Sequence, residues 1–179
     1  TTIVEPHAVD YRAVLGQAWL LEADLSHTSL QHANLFAAQM LRTRLDGADL
    51  SGARVVADLS GASLVDAKLT GANLGADMKN QSMGLMHTVL KSARLDGADL
   101  HNADLSRAEL QFASLKKSNL TGASLRGADL SGADLTGATL SGADFMGTDL
   151  ASARLTAPIG LEAARNFDKA VNRDRLLKQ

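Results

Sequence analysis

Side chains able to do chemistry are plentiful in this chain, and their spacing is the first thing to explain. Asp99, Asp104, Asp129 and Asp134 recur at multiples of five residues, a pattern that could be taken for the paired acids of general acid–base work. Each, however, stands directly before a Leu, where a short acidic side chain can bond the backbone two residues on and shape a turn. The five histidines (7, 27, 32, 87 and 101) have no carboxylate recurring around them at metal-ligand spacing, and the chain contains no Cys, so no thiolate site or disulfide can form. No Ser–His–Asp order, phosphate loop or dinucleotide fingerprint is present. These residues point away from an enzyme and call for no cofactor.

The elements that carry these side chains are defined by a five-residue step. Leu occurs at 15, 20, 25, 30, 35, 45 and 50, with Met40 and Val55 in the same series; Leu59, Leu64, Leu69 and Leu74 follow one residue out of phase; and the step resumes from Leu85 to Leu155 with Phe145 as its one substitution. Two residues before each of these 28 centres stands a small residue, Ala in 22 cases, Thr at 28, 43, 88 and 148, and Ser118, with Met83 the exception. Five residues turn an α-helix through roughly 500°, so this period smears around every face and excludes a helix. A flat strand would demand longer alternation than centre and centre minus two, and Gly follows two residues after the centre eleven times, from Gly47 to Gly147. Each unit is therefore a short extended stretch plus a bend, in which Gly or another small residue supplies an unusual φ.

The segments "ADLSG", "ANLFA", "ADLHN" and "SNLTG" resemble the pentapeptide-repeat proteins, whose consensus is A(D/N)LXX, and the resemblance runs from Tyr11 to about Leu155. It implies an all-β fold, a right-handed quadrilateral β-helix with four pentapeptides per turn, whose centre residues and small residues stack inside as ladders. On that reading the repeats make about seven coils, a rod of roughly 35 Å at about 4.8 Å per stacked strand.

Three segments depart from the pattern. The step shortens to four between Val55 and Leu59 and lengthens to eleven between Leu74 and Leu85, so one residue is lost and one regained. The irregular stretch 75–84 carries Met78, Lys79, Asn80, Gln81, Ser82 and Met83, followed by Met86 and His87; it is either a tolerated bulge or a recognition loop on a rigid scaffold. After Leu155, Pro158 and Gly160 break the repeat, and Leu161, Ala164, Phe167 and Val171 read as one face of an α-helix from about Leu161 to Leu177. Residues 156–179 are thus expected to cap the open end of the coil or to dimerise through the same face, and residues 1–10 to cover the other end.

The totals narrow the partner. The chain has 179 residues with 18 Lys and Arg against 20 Asp and Glu, a formal charge of −2, which argues against direct nucleic-acid binding. No stretch is long and apolar enough to insert in a membrane. A chain that begins at Thr1 leaves both a cytoplasmic and an exported location open, the first favoured. With four centres per turn, Trp19, Leu21 and Leu41 share one side of the first two coils with Phe36 round the corner, a patch covered by the N-terminal segment or offered to a partner. A second side gathers Arg54, Arg94, Lys116, Lys117 and Arg154, interleaved with Asp96 and Asp134. Two functions remain. The first is a non-enzymatic scaffold that binds a protein through its rigid faces or the 75–84 loop. The second comes from the resemblance: some pentapeptide-repeat proteins are acidic, dimeric rods that mimic DNA and protect gyrase from quinolones. Between Asp96 and Leu150 the net charge is only −4, less one-sided than a DNA mimic calls for.

Overall fold

The computed structural model of the protein describes residues 14–77 and 86–177. Val14 pairs in parallel with Asn34, Trp19 with Gln39, Asp24 with Arg44 and Ser29 with Asp49, so twenty residues bring the chain back to the side it left. Four repeats make one turn. Taking these four residues as the heads of sides 1 to 4, the paired positions run eight deep on sides 1, 2 and 3 and seven deep on side 4 among the described residues. Within the pentapeptide region no regular side is longer than one repeat, because the repeat ends in a bend. The carbonyl of the centre residue accepts the N–H three residues on, as from Ala18 to Leu15 (3.0 Å), with a left-handed residue between them, Gln17 at φ 62°. A positive φ at the third turn position is the mark of a type II turn and the reason Gly is frequent there.

The interior is what the alternation of large and small predicts. Leu35, Leu50, Leu100, Leu120 and Leu140 are fully buried, and Ala33, Ala98 and Ala128 are 0–1% exposed beside them. The five inward hydroxyl residues leave no orphan. Thr28 donates to the Leu25 carbonyl, Thr43 to Leu20, Thr88 to Val55, Ser118 to Leu115 and Thr148 to Leu125, all at 2.7–2.8 Å, which removes the cost of burying them. The acids before the centres are turn formers. Asp99, Asp104, Asp129 and Asp134 each accept the N–H two residues on, at 2.9–3.1 Å.

Of the two interruptions, the second differs from the expected gain of one residue. At Val55 a side simply lacks its left-handed corner residue: Asp58 still pairs with Gln39, and Val56 is buried at 2% exposure. Beyond Asn73 the next paired residue is Val89, which stacks on Asp58, so the coil passes from Leu74 on side 1 to Leu90 on side 2 with eleven residues more than a regular side has, an excursion that adds no turn to the coil. Leu85, expected to head a side, lies outside the described residues. Because the excursion is not wound into the coil, every later residue lies two sides away from where an uninterrupted count puts it. Arg54 is accordingly on side 1, while Arg94, Lys116, Lys117 and Arg154 belong to side 3.

The C-terminal segment is not an α-helix. Ile159, Arg165, Val171 and Leu177 pair with Thr139, Asp144, Asp149 and Arg154, extending the coil with sides of six residues. Gly160, Asn166 and Asn172 are left-handed, and each is followed by a single 3-10 turn, Leu161–Ala163, Phe167–Lys169 and Arg173–Arg175. The residues packed on the core, Leu161, Ala164, Phe167, Ala170 and Leu176, fall at multiples of three. Such a period drifts about 60° per step around an α-helix and cannot hold one face, whereas a six-residue side points both of its apolar positions inward. Val171 is outward, 46% exposed. Phe167 meets Phe145 edge to face at 5.3 Å, so an aromatic pair joins this coil to the last pentapeptide ladder.

Candidate partner-binding surface

A filled rod offers only its outside, and the sides differ. On side 2, Trp19 is 81% and Leu21 50% exposed, with Val14 (77%) on side 1 of the same coil. Leu41 lies directly below Leu21 and is half-buried. Trp19, Leu21 and Leu41 are thus brought together as the repeat count requires. Phe36, round the corner, is half-buried beneath the Arg54 guanidinium, 4.1 Å from its ring centre, and is withdrawn from the patch.

Below the patch, side 2 turns acidic: Asp58, Glu109, Asp129 and Asp149 occupy four of the next five paired positions, with Val89 the fifth. Lys91 and His87 both reach Glu109; the His87 Nε2 lies 2.5 Å from its Oε1. The hydrogen bond from Lys91 holds the Glu109 carboxyl below its ordinary range, against the opposing effect of burial. Side 3 is mixed, with Arg44, Arg94 and Arg154 in one column with Asp24 and Asp134.

Of the excursion, Met78, Lys79, Asn80, Gln81, Ser82 and Met83 lie outside the described residues, as do residues 1–10. Its base is described and closed. The Asp77 N–H donates to the Met86 carbonyl at 2.8 Å, and Arg54 holds the nearly buried Asp77 carboxylate at 2.8 Å. Met86 and His87 are half-buried on the returning strand.

Phe112 is exposed at 70% and has a φ of 59°, a left-handed conformation that a bulky residue rarely adopts. It shows that the corner does not require a small residue. Here the next coil leaves room for it: a Cβ on Gly132, one turn below, would stand 2.5 Å from the Phe112 ring. His27 over Gly47, His32 over Gly52 and Asn102 over Gly122 repeat the device. The signal was available as a large corner residue followed twenty positions later by Gly. Among the described residues no group of three His, Asp or Glu is placed to hold a metal ion, and no helix is long and apolar enough to cross a membrane.

The pentapeptide-repeat pattern matches in eight copies over residues 11–40, 20–52, 57–80, 85–122 and 113–150, well over half of the chain. The chain belongs to the pentapeptide-repeat family. A trypsin-treated form of QnrB1, a plasmid-mediated fluoroquinolone resistance protein, is similar in fold, with 17% identity, a TM-score of 0.50 and coverage of 94% of this chain and 92% of that one. HetL, a pentapeptide-repeat protein involved in heterocyst differentiation regulation in the cyanobacterium Nostoc sp. strain PCC 7120, is 26% identical over 94% of this chain and 93% of its own, with a TM-score of 0.30. Rfr23 from the cyanobacterium Cyanothece 51142 is 30% identical over 60% and 63%, with a TM-score of 0.28. No curated protein sequence matches the chain. Family membership brings the right-handed β-helix of these proteins, and the four-sided coil of pentapeptides agrees with it.

Proposed function

We propose that this pentapeptide-repeat protein is a non-catalytic scaffold that binds a protein partner, with the Trp19 patch as its anchor. The observation that carries the reading is the 81% exposure of a Trp that its own coil does not need for packing, flanked by Leu21 and Val14. An exposed aromatic with apolar neighbours is the kind of group that dominates binding energy in protein interfaces. The excursion at 75–84 is the second contact, since its closed base holds it to the rigid coil. The test is capture of partners from the source cell's lysate with the parent, with Trp19→Ala, and with Lys79 to Ser82 replaced by Gly and Ser. Loss of a partner with Trp19→Ala supports the anchor. Identical profiles from all three proteins, each equally folded, would sink it.

The acidic column of side 2 favours a second reading, a rod that occupies the DNA site of gyrase and shields the enzyme from quinolones. A supercoiling assay with and without drug decides it: protection that disappears when Asp129 and Asp149 become Asn supports it, and no protection removes it. Under either reading Ile159, Val171 and Leu177, 46–58% exposed on the last coil, are the surface for a homodimer.

A further inference from the structure

Arg107 and Arg126 occupy the corner of sides 1 and 2 on successive coils, one coil below the point where the excursion leaves. They line an open groove of about 300 Å³ together with Ser106, Gly127 and Met146, and no carboxylate is among the lining residues. The two arginine backbones are paired directly, the Arg107 N–H donating to the Arg126 carbonyl at 2.9 Å. Arg126 is fixed by Asp144, which it bonds at 3.0 Å and which is in turn held by the Asn166 amide and the Met146 N–H. Arg107 makes no ion pair among the described residues, although its φ of 61° commits it to the corner. Two other acids have partners of their own: Asp104 accepts the Ser106 N–H, and Asp77 is bound to Arg54. Gly127, with no side chain, forms the floor, and the Ser106 and Ser124 hydroxyls bond each other at 2.8 Å at the edge.

We propose that this groove binds an oxyanion, a phosphate or a carboxylate group, between the Arg107 and Arg126 guanidiniums. A guanidinium presents five N–H donors in a planar fork; the one hydrogen bond found for Arg126 leaves it donors to spare, and Arg107 keeps all of its own. An anion placed there relieves the repulsion between the two cations, which Asp144 offsets from one side only. The site is independent of the Trp19 anchor, which lies four coils away on side 2.

The experiment is a titration of the full chain with inorganic phosphate and with acetate, against chloride at matched ionic strength, followed through the backbone amide signals of Ser106, Arg107 and Gly127. Saturable shifts confined to this corner are expected, with Arg107→Gln weakening them about tenfold, the loss of one charge-assisted contact. Arg107→Lys should retain part of the affinity. The tighter of the two anions names the source, a phosphoryl group or an acidic side chain. Shifts that chloride reproduces, that fail to saturate into the tens of millimolar, or that persist undiminished in Arg107→Gln overturn the proposal. Because Arg107 is exposed and makes no ion pair among the described residues, its variant should keep the fold; Arg126→Gln, which also frees Asp144, serves as the second variant.

Discussion

Gly132 and Gly147 hold the same corner position in their repeats, with φ of 69° and 68°, yet their surroundings differ. A Cβ on Gly147 meets nothing within 4 Å, while one on Gly132 runs into the Phe112 ring at 2.5 Å. Gly147→Ala should therefore cost only the left-handed conformation, about 1 kcal/mol, and Gly132→Ala visibly more. In a Phe112→Ser background the Gly132→Ala loss should fall to that of Gly147→Ala. Denaturant midpoints read this directly, and equal losses in the parent would mean that the ring does not pack on the glycine. Titration acts at the same scale. Burial disfavours the charged form of Asp144, but bonds from Asn166, the Met146 N–H and Arg126 outweigh it and hold its carboxyl below the ordinary carboxylate range. A carboxyl depressed in the folded state contributes stability that is fully present above its unfolded value, about 3.9, and is lost as the pH falls through that value toward the folded one. Melting temperatures should thus be flat near neutrality and drop in acid, with a shallower drop in Arg126→Gln. The same slope in parent and variant would contradict the assignment.

Within the stacked side, each centre residue touches its counterparts in the coils above and below, so a fault in one ladder is felt on both sides. Leu100→Lys buries an unpaired ammonium and should unfold or loosen the rod, and Ala128→Leu overfills a position that is 1% exposed, costing about 1–3 kcal/mol. Ser131→Lys, on an outer corner, should be nearly silent. Thermal melting of the three variants checks the inward assignment, and Leu100→Lys as stable as the parent would refute it. The last coil is held by different contacts, chiefly the Phe145–Phe167 pair and the amides of Asn166 and Asn172 on Asp144 and Asp149. Removing residues 158–179 exposes Leu140, Phe145 and Leu150 along with a row of unpaired strand edges, so light scattering should report aggregation. A soluble monomer cut from a dimeric parent would instead identify this coil as the dimer interface.

At the scale of the molecule, a solenoid's stability is close to a sum over neighbouring coils, so segments outside the ladders change it little. Replacing Lys79 to Ser82 with Gly and Ser leaves Leu74 and Leu90 in place and should leave the melting midpoint unchanged, which differential scanning calorimetry can measure. A clear loss would show that the excursion is part of the fold. The excursion matters in another way. By leaving the coil it turns all later repeats by two sides, which separates Arg54 from the Arg94 and Arg154 column and lines up Asp58, Glu109, Asp129 and Asp149.

The five-residue step, the small partner two residues before each centre, and the Asp or Asn turn formers were legible in the sequence, because each acts within one repeat and repetition averages out the exceptions. The placement of Trp19, Leu21 and Leu41 on one side was legible too, since no interruption falls between them. What lay beyond the sequence were features that depend on the coil above or below. Whether eleven extra residues wind into a turn or leave at a corner is decided by which strand Asp58 pairs with, thirty-one residues away at Val89. The spacing of Leu161, Ala164, Phe167 and Val171 fits a helix as well as a strand-and-turn when read locally; the parallel edge left open at Thr139, Asp144 and Asp149 selected the coil, because pairing there satisfies backbone groups that an α-helix would leave bare. Large corner residues such as Phe112 left a trace in the sequence, a Gly twenty positions on, but the reason for it appears only when the coils are stacked: the Phe112 ring fills the space that a Cβ on Gly132 would need.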